Sequence, residues 1–411
     1  MADYYYLNEG IIINILHRLP VRALLRCTCV CKSWYSLITT PLFISSHFNF
    51  QNNAHAPPLL LLRRCLPKSE RFALYLDHHQ SFTRQTTLDF PFTSLNSYFT
   101  IVGSCNGLLC LSDDRLYFVH TIILWNPCVK KSLLLPKPNL IYNSCATFIQ
   151  CLGFGFDSVA NDYKVVRITY VDYGSPQVEL YKLSTGVWQD ISYLSLHYII
   201  YNKSRQAYAY GATHWVANNY MNSYDLIVLF DMCHEVFREM MLPDILANVD
   251  PNTSKDLLVY KESLALIAWN VSAVEPRCCV WVMEEYGVMG SWTKLFDFDH
   301  HNFGSGRIMR PLWVRRNGEV VMVREDGRLI SYDPNGGEVE DLGVRGSRSE
   351  DYRRSVHVES YTTSLVLLER GSCFSDSVTC KELPSLESND CGSGGSYGSD
   401  CEHNSGSSSA K

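Results

Sequence analysis

The sequence predicts a mainly β protein in which a small α-helical module precedes a β-propeller and a disordered C-terminal tail follows it. Three observations carry that reading. An apolar stripe at helical spacing lies near the N-terminus, aromatic strand anchors recur about every 50 residues between positions 100 and 370, and the last stretch is too poor in apolar residues to fold.

In the N-terminal region Ile11, Ile12, Ile15, Leu16 and Leu19 follow the spacing of one helix face. Leu19-Pro20 ends that helix, because proline withholds the next amide and biases its predecessor away from the helical region. Beyond it Val21, Leu24, Leu25, Val30, Trp34 and Leu37 supply apolar positions at similar spacing, and Thr39-Thr40-Pro41 is expected to close the segment. Two or three helices in about 40 residues bury too little surface to fold alone. A foreign subunit is therefore expected to cover the stripe. Burying five Ile or Leu side chains is worth about 10 kcal/mol gross, close to the roughly 4 to 15 kcal/mol that association costs, so Val21 to Leu37 must contribute too.

From residue 100 onward an apolar strand, an aromatic-led strand, a polar turn and a further strand recur. The anchors are Trp125, Tyr181, Phe230, Trp281 and Tyr332, preceded by strands around Leu109, Val166, Trp215, Leu266 and Val321. Tyr181 and Trp188, Phe230 and Phe237, and Tyr332 and Val339 share one separation, which fits short hairpins turning at Ser184-Thr-Gly186, Cys233-His-Glu235 and Asn335-Gly-Gly337. This period, close to that of kelch repeats, predicts six or seven propeller blades, which stacked radially leave only short strand edges exposed. A final strand over Tyr361 to Leu368 is expected to close the ring. Residues 371–411, rich in Ser, Gly, Asp and Glu, are expected to be a disordered tail. The expected division is 1–47 for the helical docking domain, 48–99 for a linker and first strands, 100–370 for the propeller and 371–411 for the tail.

The formal net charge of −6 disfavours nucleic acid, whose binding draws on clustered Lys and Arg. Residues 1–64 carry net +4 and 371–411 net −4, which leaves −6 for the middle and favours a basic protein partner there. With no basic leader region at the N-terminus and no apolar run long enough for a membrane helix, the expectation is a cytoplasmic or nuclear protein whose 16 cysteines stay reduced.

Catalytic signatures are missing: there is no Gly-x-Ser-x-Gly, His-Glu-x-x-His or phosphate-cradling glycine loop. Gly153-Phe-Gly155-Phe-Asp157 lacks the third glycine of a dinucleotide site and is read as a bend between strands. Cys27, Cys29 and Cys31 are read as small buried residues on a helix, His78-His79 and His300-His301 as surface loops, and Glu284-Glu285 as a solvated turn. No catalytic, cofactor or metal residue is assigned. The competing class is a propeller enzyme with His, Asp or Cys side chains converging on the central channel.

The segment Leu7 to Arg26, then Cys29-Val-Cys-Lys-Ser-Trp34-Tyr-Ser-Leu-Ile38 and Pro41-Leu-Phe43, resembles a plant-type F-box. Downstream, Ser104 to Cys110, Leu124-Trp-Asn-Pro127, Phe154 to Asp157 with Asp162 to Arg167, Phe230-Asp231 with Glu235 to Phe237, and Trp281 to Met283 with Ser291 to Lys294 resemble the kelch-like F-box-associated domain of the same plant proteins. The resemblance covers about residues 7–370. It implies a substrate-recognition subunit of a Skp–cullin–F-box ubiquitin ligase, in which Leu7, Ile11, Leu16, Leu19, Pro20, Leu24, Leu25, Val30 and Trp34 contact the Skp adaptor and through it the cullin. The propeller would hold a protein target for ubiquitination and proteasomal degradation. The sequence departs from the family at Asn8 and Gly10. Asn8 can still cap the helix, whereas a first-turn glycine weakens it by up to about 1 kcal/mol. A narrower resemblance, to S-locus F-box proteins, implies basic ribonucleases as targets.

Overall fold

A computed structural model describes residues 8–53, 59–66, 69–78, 81–94, 98–113, 121–140, 148–171, 175–194, 196–200, 204–219, 224–247, 253–270, 277–299, 308–346 and 356–368. The residues of the expected tail lie outside them. Four helices come first: α1 (Glu9–His17), α2 (Val21–Cys27), α3 (Lys32–Ile38) and α4 (Pro41–Asn53). Pro41 opens α4 instead of closing the segment, because the first helical turn needs no proline amide and the Thr40 hydroxyl caps it by accepting the Phe43 amide at 3.2 Å. Cys27 ends α2 half-buried, and Cys29 and Cys31 are exposed beyond it; the expectation that the three are small buried residues on a helix is corrected.

Six antiparallel blades follow. The first takes β1 (Leu59–Leu66), β2 (Ser69–His78) and β3 (Ser81–Leu88) from one end of the chain and β25 (Val356–Tyr361) from the other. The second is β4 (Thr100–Cys105), β5 (Leu108–Asp113), β6 (Thr121–Asn126) and β7 (Lys131–Leu134). The third is β8 (Phe148–Asp157), β9 (Asp162–Val171), β10 (Gln177–Lys182) and β11 (Val187–Asp190). The fourth splits its inner strand into β12 (Ile199–Ile200) and β13 (Ala207–Ala209), followed by β14 (Ala212–Asn219), β15 (Tyr224–Asp231) and β16 (Val236–Met241). A short helix α5 (Asp244–Ala247) leads to the fifth, β17 (Ser254–Tyr260), β18 (Ser263–Asn270), β19 (Arg277–Met283) and β20 (Trp292–Asp299). The sixth is β21 (Ile308–Val314), β22 (Val320–Arg324), β23 (Arg328–Tyr332) and β24 (Val339–Arg345).

The aromatic anchors Trp125, Tyr181, Phe230, Trp281 and Tyr332 all fall on the third strand of a blade. Cross-strand pairing explains the repeated hairpin spacing, for Tyr181 opposes Trp188, Phe230 opposes Phe237 and Tyr332 opposes Val339. Neighbouring blades share apolar cores in which Trp125 and Trp215 are almost wholly buried. Gly153 and Gly155 lie within β8 and are not a bend. A Cβ there would come 2.4 Å from the Trp215 ring and 2.5 Å from the Tyr208 ring, so their bareness lets the fourth blade pack against the third.

Ring closure also differs from expectation. The last strand ends at Tyr361, opposite Leu59, instead of running to Leu368. Asn126 draws the next residues away: its side-chain amide donates to the carbonyls of Ser364 at 3.1 Å and Val366 at 2.9 Å. Leu367, at φ 71°, is then in a conformation that no strand accommodates.

The break between β12 and β13 sends Arg205 across the central channel. Its guanidinium donates to the Leu312 carbonyl of the sixth blade at 2.9 Å and to the Val358 carbonyl of the first at 2.5 Å, with the Glu359 carboxylate 3.4 Å away. The adjacent Gln206 accepts from the Phe154 amide at 2.6 Å and donates to the Phe154 carbonyl at 2.9 Å. Arg205 and Gln206 thus tie the fourth blade to the third, sixth and first. Replacing Arg205 by Ala is expected to cost about 3 kcal/mol, because two backbone carbonyls lose their donor and the buried Glu359 carboxylate loses its cation, keeping only the His357 ring 3.2 Å away. A lower urea midpoint at unchanged denaturant slope would register it.

Candidate docking site on the helical module

The side chain of Asn8 caps α1 by accepting the Gly10 amide at 2.8 Å. The other end of α1 is held by α4. His47 Nε2 donates to the Leu19 carbonyl at 2.9 Å, and Gln51 Nε2 donates to the His17 carbonyl at 2.9 Å. These bonds satisfy carbonyls that a helix terminus leaves without intrahelical partners. The His17 ring stacks on Phe43 with centroids 4.9 Å apart, and Arg18 lies over Phe50. Burial lowers the His47 pKa, with nearby His17 adding to the effect and the Leu19 bond opposing it.

The structure divides the nine residues assigned to adaptor contact. Leu16 and Leu24 are fully buried in the module's own core with Val21, Ile38, Phe43 and Ile44. Leu19, Leu25 and Trp34 are half-buried and pack on the same core. Ile11 at 50% and Val30 at 64% are exposed, as is Pro20, and Leu7 lies outside the described residues. The expectation that a foreign subunit must cover the whole stripe is thereby corrected. The chain covers part of it with α4 and with Val129 and Leu365 of the propeller. Sequence reasoning assigned no role to Tyr35 or Leu42, which are 55% and 85% exposed, and used Ile15, 47% exposed, only as part of the stripe. Leu42 could have been found by extending the helical period past Pro41, since Phe43, Ile44 and His47 then take the buried face.

The module sits on a fixed seat. Val129 lies in the turn between β6 and β7, and Leu365 belongs to the segment that Asn126 captures after β25. Arg22 of α2 also donates to the Thr86 hydroxyl on β3 at 3.0 Å. In antiparallel blades, alternate turns lie at opposite ends of the ring, which puts the β6–β7 turn and the end of β25 at one end, while Thr86 lies on the outermost strand of the first blade.

In the central channel the polar groups are engaged with one another. Arg310 donates to Asp256 at 2.6 Å, and His357 lies 3.2 Å from Glu359. Burial holds the His357 pKa well below the ordinary range, helped by Arg205, Arg63 and Arg310, while burial pushes Glu359 up against the pull of Arg205. Among the described residues no cluster of three or more His, Cys, Asp or Glu could hold a metal ion. His78 ends β2, and His79, His300 and His301 lie outside the described residues. Glu284 and Glu285 are exposed in the turn after β19. Among the described residues no helix is long and apolar enough to cross a membrane.

Two family profiles match the chain. One described as F-box-like covers residues 9–50, and one described as F-box associated beta propeller domain covers residues 59–362. Relatives in Arabidopsis thaliana include the F-box protein At3g07870, 29% identical with 83% of this chain and 88% of the relative covered. The F-box/kelch-repeat protein At3g23880 is 28% identical, with 79% of this chain and 86% of the relative covered. The F-box protein CPR1 is 27% identical, with 87% and 88% covered. Among solved structures the SapL1 lectin in complex with alpha methyl fucoside gives a TM-score of only 0.39 at 10% identity over 72% of this chain and 98% of that one.

The neutral His47 ring is one of the groups that hold the end of α1 to α4, with Gln51 and the His17–Phe43 stack. Because its folded pKa is lowered, the unfolded chain binds the proton more readily, so this contribution is present above the ordinary value of about 6.5 and is lost as pH falls below it. Amide-exchange protection factors in α1 and α4, which divide out the base-catalysed intrinsic rate, should therefore be smaller at about pH 5.5 than at about pH 7.5, and His47→Gln should at least halve that difference. An unaltered pH dependence in the variant would refute the assignment.

Proposed function

The chain belongs to the F-box associated β-propeller family, and from that premise we propose that it is a non-catalytic receptor subunit of a Skp–cullin–F-box ubiquitin ligase. The observation that carries the reading is the coincidence of the F-box-like match with a helical module that keeps large apolar side chains in water while seated on a propeller. Such side chains clustered on a small module mark a surface for another protein. Ile11, Ile15, Val30, Tyr35 and Leu42, with Pro20, make the direct contacts to a Skp-type adaptor, and Leu19, Leu25 and Trp34 contribute their half-exposed edges. Leu16 and Leu24 act from beneath by fixing the helices, and Leu7, outside the described residues, stays in the proposed contact set.

Ubiquitin transfer is carried out by other subunits, so this chain needs no nucleophile. Its contribution is to hold a protein target close to the transfer machinery, converting a bimolecular encounter into a local one. The S-locus F-box reading, with basic ribonucleases as targets, is a narrower form of the same proposal, and expression confined to pollen would favour it. The propeller-enzyme reading has less support, because Arg205, Arg310, Asp256, His357 and Glu359 in the channel bond to one another and to backbone carbonyls. The cytosol or nucleus is the proposed compartment.

Ile11→Asp combined with Val30→Asp places charge on two exposed positions. Co-purification with a Skp-type adaptor should fall by roughly a hundredfold, while the β circular dichroism and the propeller's melting stay unchanged. Leu16→Asp, by contrast, should melt the module itself, since it puts an unpaired charge in the core. Adaptor binding that survives in the exposed double variant would remove the basis of the proposal.

A further inference from the structure

We propose that the propeller end opposite the helical module, on the fourth blade and its borders with the third and the fifth, is the surface that captures the target, and that it takes a basic segment carrying large apolar side chains. The inference rests on the receptor reading above and deepens it by naming the second partner's site and chemistry.

The alternation of antiparallel strands fixes which loops share an end. The β6–β7 turn and the C-terminal end of β25 lie at the end where Val129 and Leu365 seat the module. The ends of β11 and β16, the start of β15 and helix α5 lie at the other. A receptor engaged by an adaptor at one end leaves the far end open to a second protein.

At that far end the buried and outward side chains alternate. Ile191, Leu196, Met240, Leu242 and Leu246 enter the blade cores, whereas Tyr193 at 76%, Ile245 at 66% and Met241 at 38% stand in water. Tyr198 and Tyr224 are half-buried beside them, and the Tyr198 hydroxyl meets the Glu239 carboxylate. Tyrosine combines a rigid apolar ring with a hydrogen-bonding tip, which suits the centre of a protein interface. Within 190–200 and 238–247 the exposed charged residues are Asp190, Glu239 and Asp244 with Arg238, whose guanidinium turns toward Asp231, 3.9 Å away, near the other end of the strand pair. The nearby cation Lys255 is buried and paired with Asp225 at 2.7 Å. An apolar ledge flanked by three exposed carboxylates complements Lys or Arg spaced around Leu, Phe or similar side chains.

The module's end also exposes Val159, Tyr210, Val288 and Met289, but Tyr210 is already stacked on Tyr286 with centroids 4.1 Å apart. These residues serve as the internal control. The full chain, co-purified with a Skp-type adaptor, is titrated with short synthetic peptides that place Lys and Arg around Leu and Phe, and with matched peptides in which Glu replaces every base. The basic peptides should bind and weaken with added salt, and the acidic ones should not. Tyr193→Ala with Ile245→Ser, and separately Glu239→Lys, should each weaken binding by roughly tenfold or more, whereas Val159→Ser with Met289→Ser should leave it unaltered. Equal binding of both peptide classes, binding of neither, or loss only in the module-end variant would overturn the proposal. Adaptor retention, read from the same samples, reports on the receptor reading independently.

Discussion

The backbone ladder between β25 and β1 pairs Tyr361 with Leu59 across almost the whole length of the propeller. Without it the first blade lacks its inner strand, β1 presents an open edge, and the sixth and second blades lose the neighbour between them. Closing so long a loop costs conformational entropy before any contact rewards it. The return comes from several blades at once, because Arg205 can reach Leu312 and Val358 only when the fourth, sixth and first blades already surround the channel. The same closure carries the chain onward to Ser364 and Leu365, where the helices rest. Propeller integrity and the placement of the helical module are therefore one physical event.

Much of this architecture is legible in the residues. Trp125, Tyr181, Phe230, Trp281 and Tyr332 announce the blades because the third strand is flanked on both sides, so a large flat side chain is wanted there each time. The helical period at Ile11 to Leu19 is equally plain, as is the break at Pro20. Position along the chain is harder to read. The first blade is hidden because three of its strands and its fourth are separated by the other five blades, and β1 to β3 lie ahead of the clear repeat.

The misreadings have a common source in contacts between residues distant in sequence. Gly153 and Gly155 look like a bend until Trp215 and Tyr208 are seen filling the space beside them. Leu16 and Leu24 look like partner contacts until Val129 and Leu365 arrive from the propeller. Pro41 can stop one helix or start another, and only the buried set Phe43, Ile44 and His47 decides between the two. The family resemblance names a set of residues on the helical module, whereas burial distinguishes which of those side chains meet water and which hold the helices in place.

Because the strand that completes the first blade comes last, synthesis order matters. At ordinary translation rates of about 5 to 20 residues per second, β1 to β3 would leave the ribosome on the order of 15 to 60 s before β25 exists to join them. During that interval the nascent chain carries an unmated sheet edge and helices without their seat, a state that favours chaperone engagement. A polypeptide cut short ahead of Val356 would never leave it. Ring closure thus acts as a built-in check on completeness, since only a chain translated to that point can present its opening helices on a finished ring.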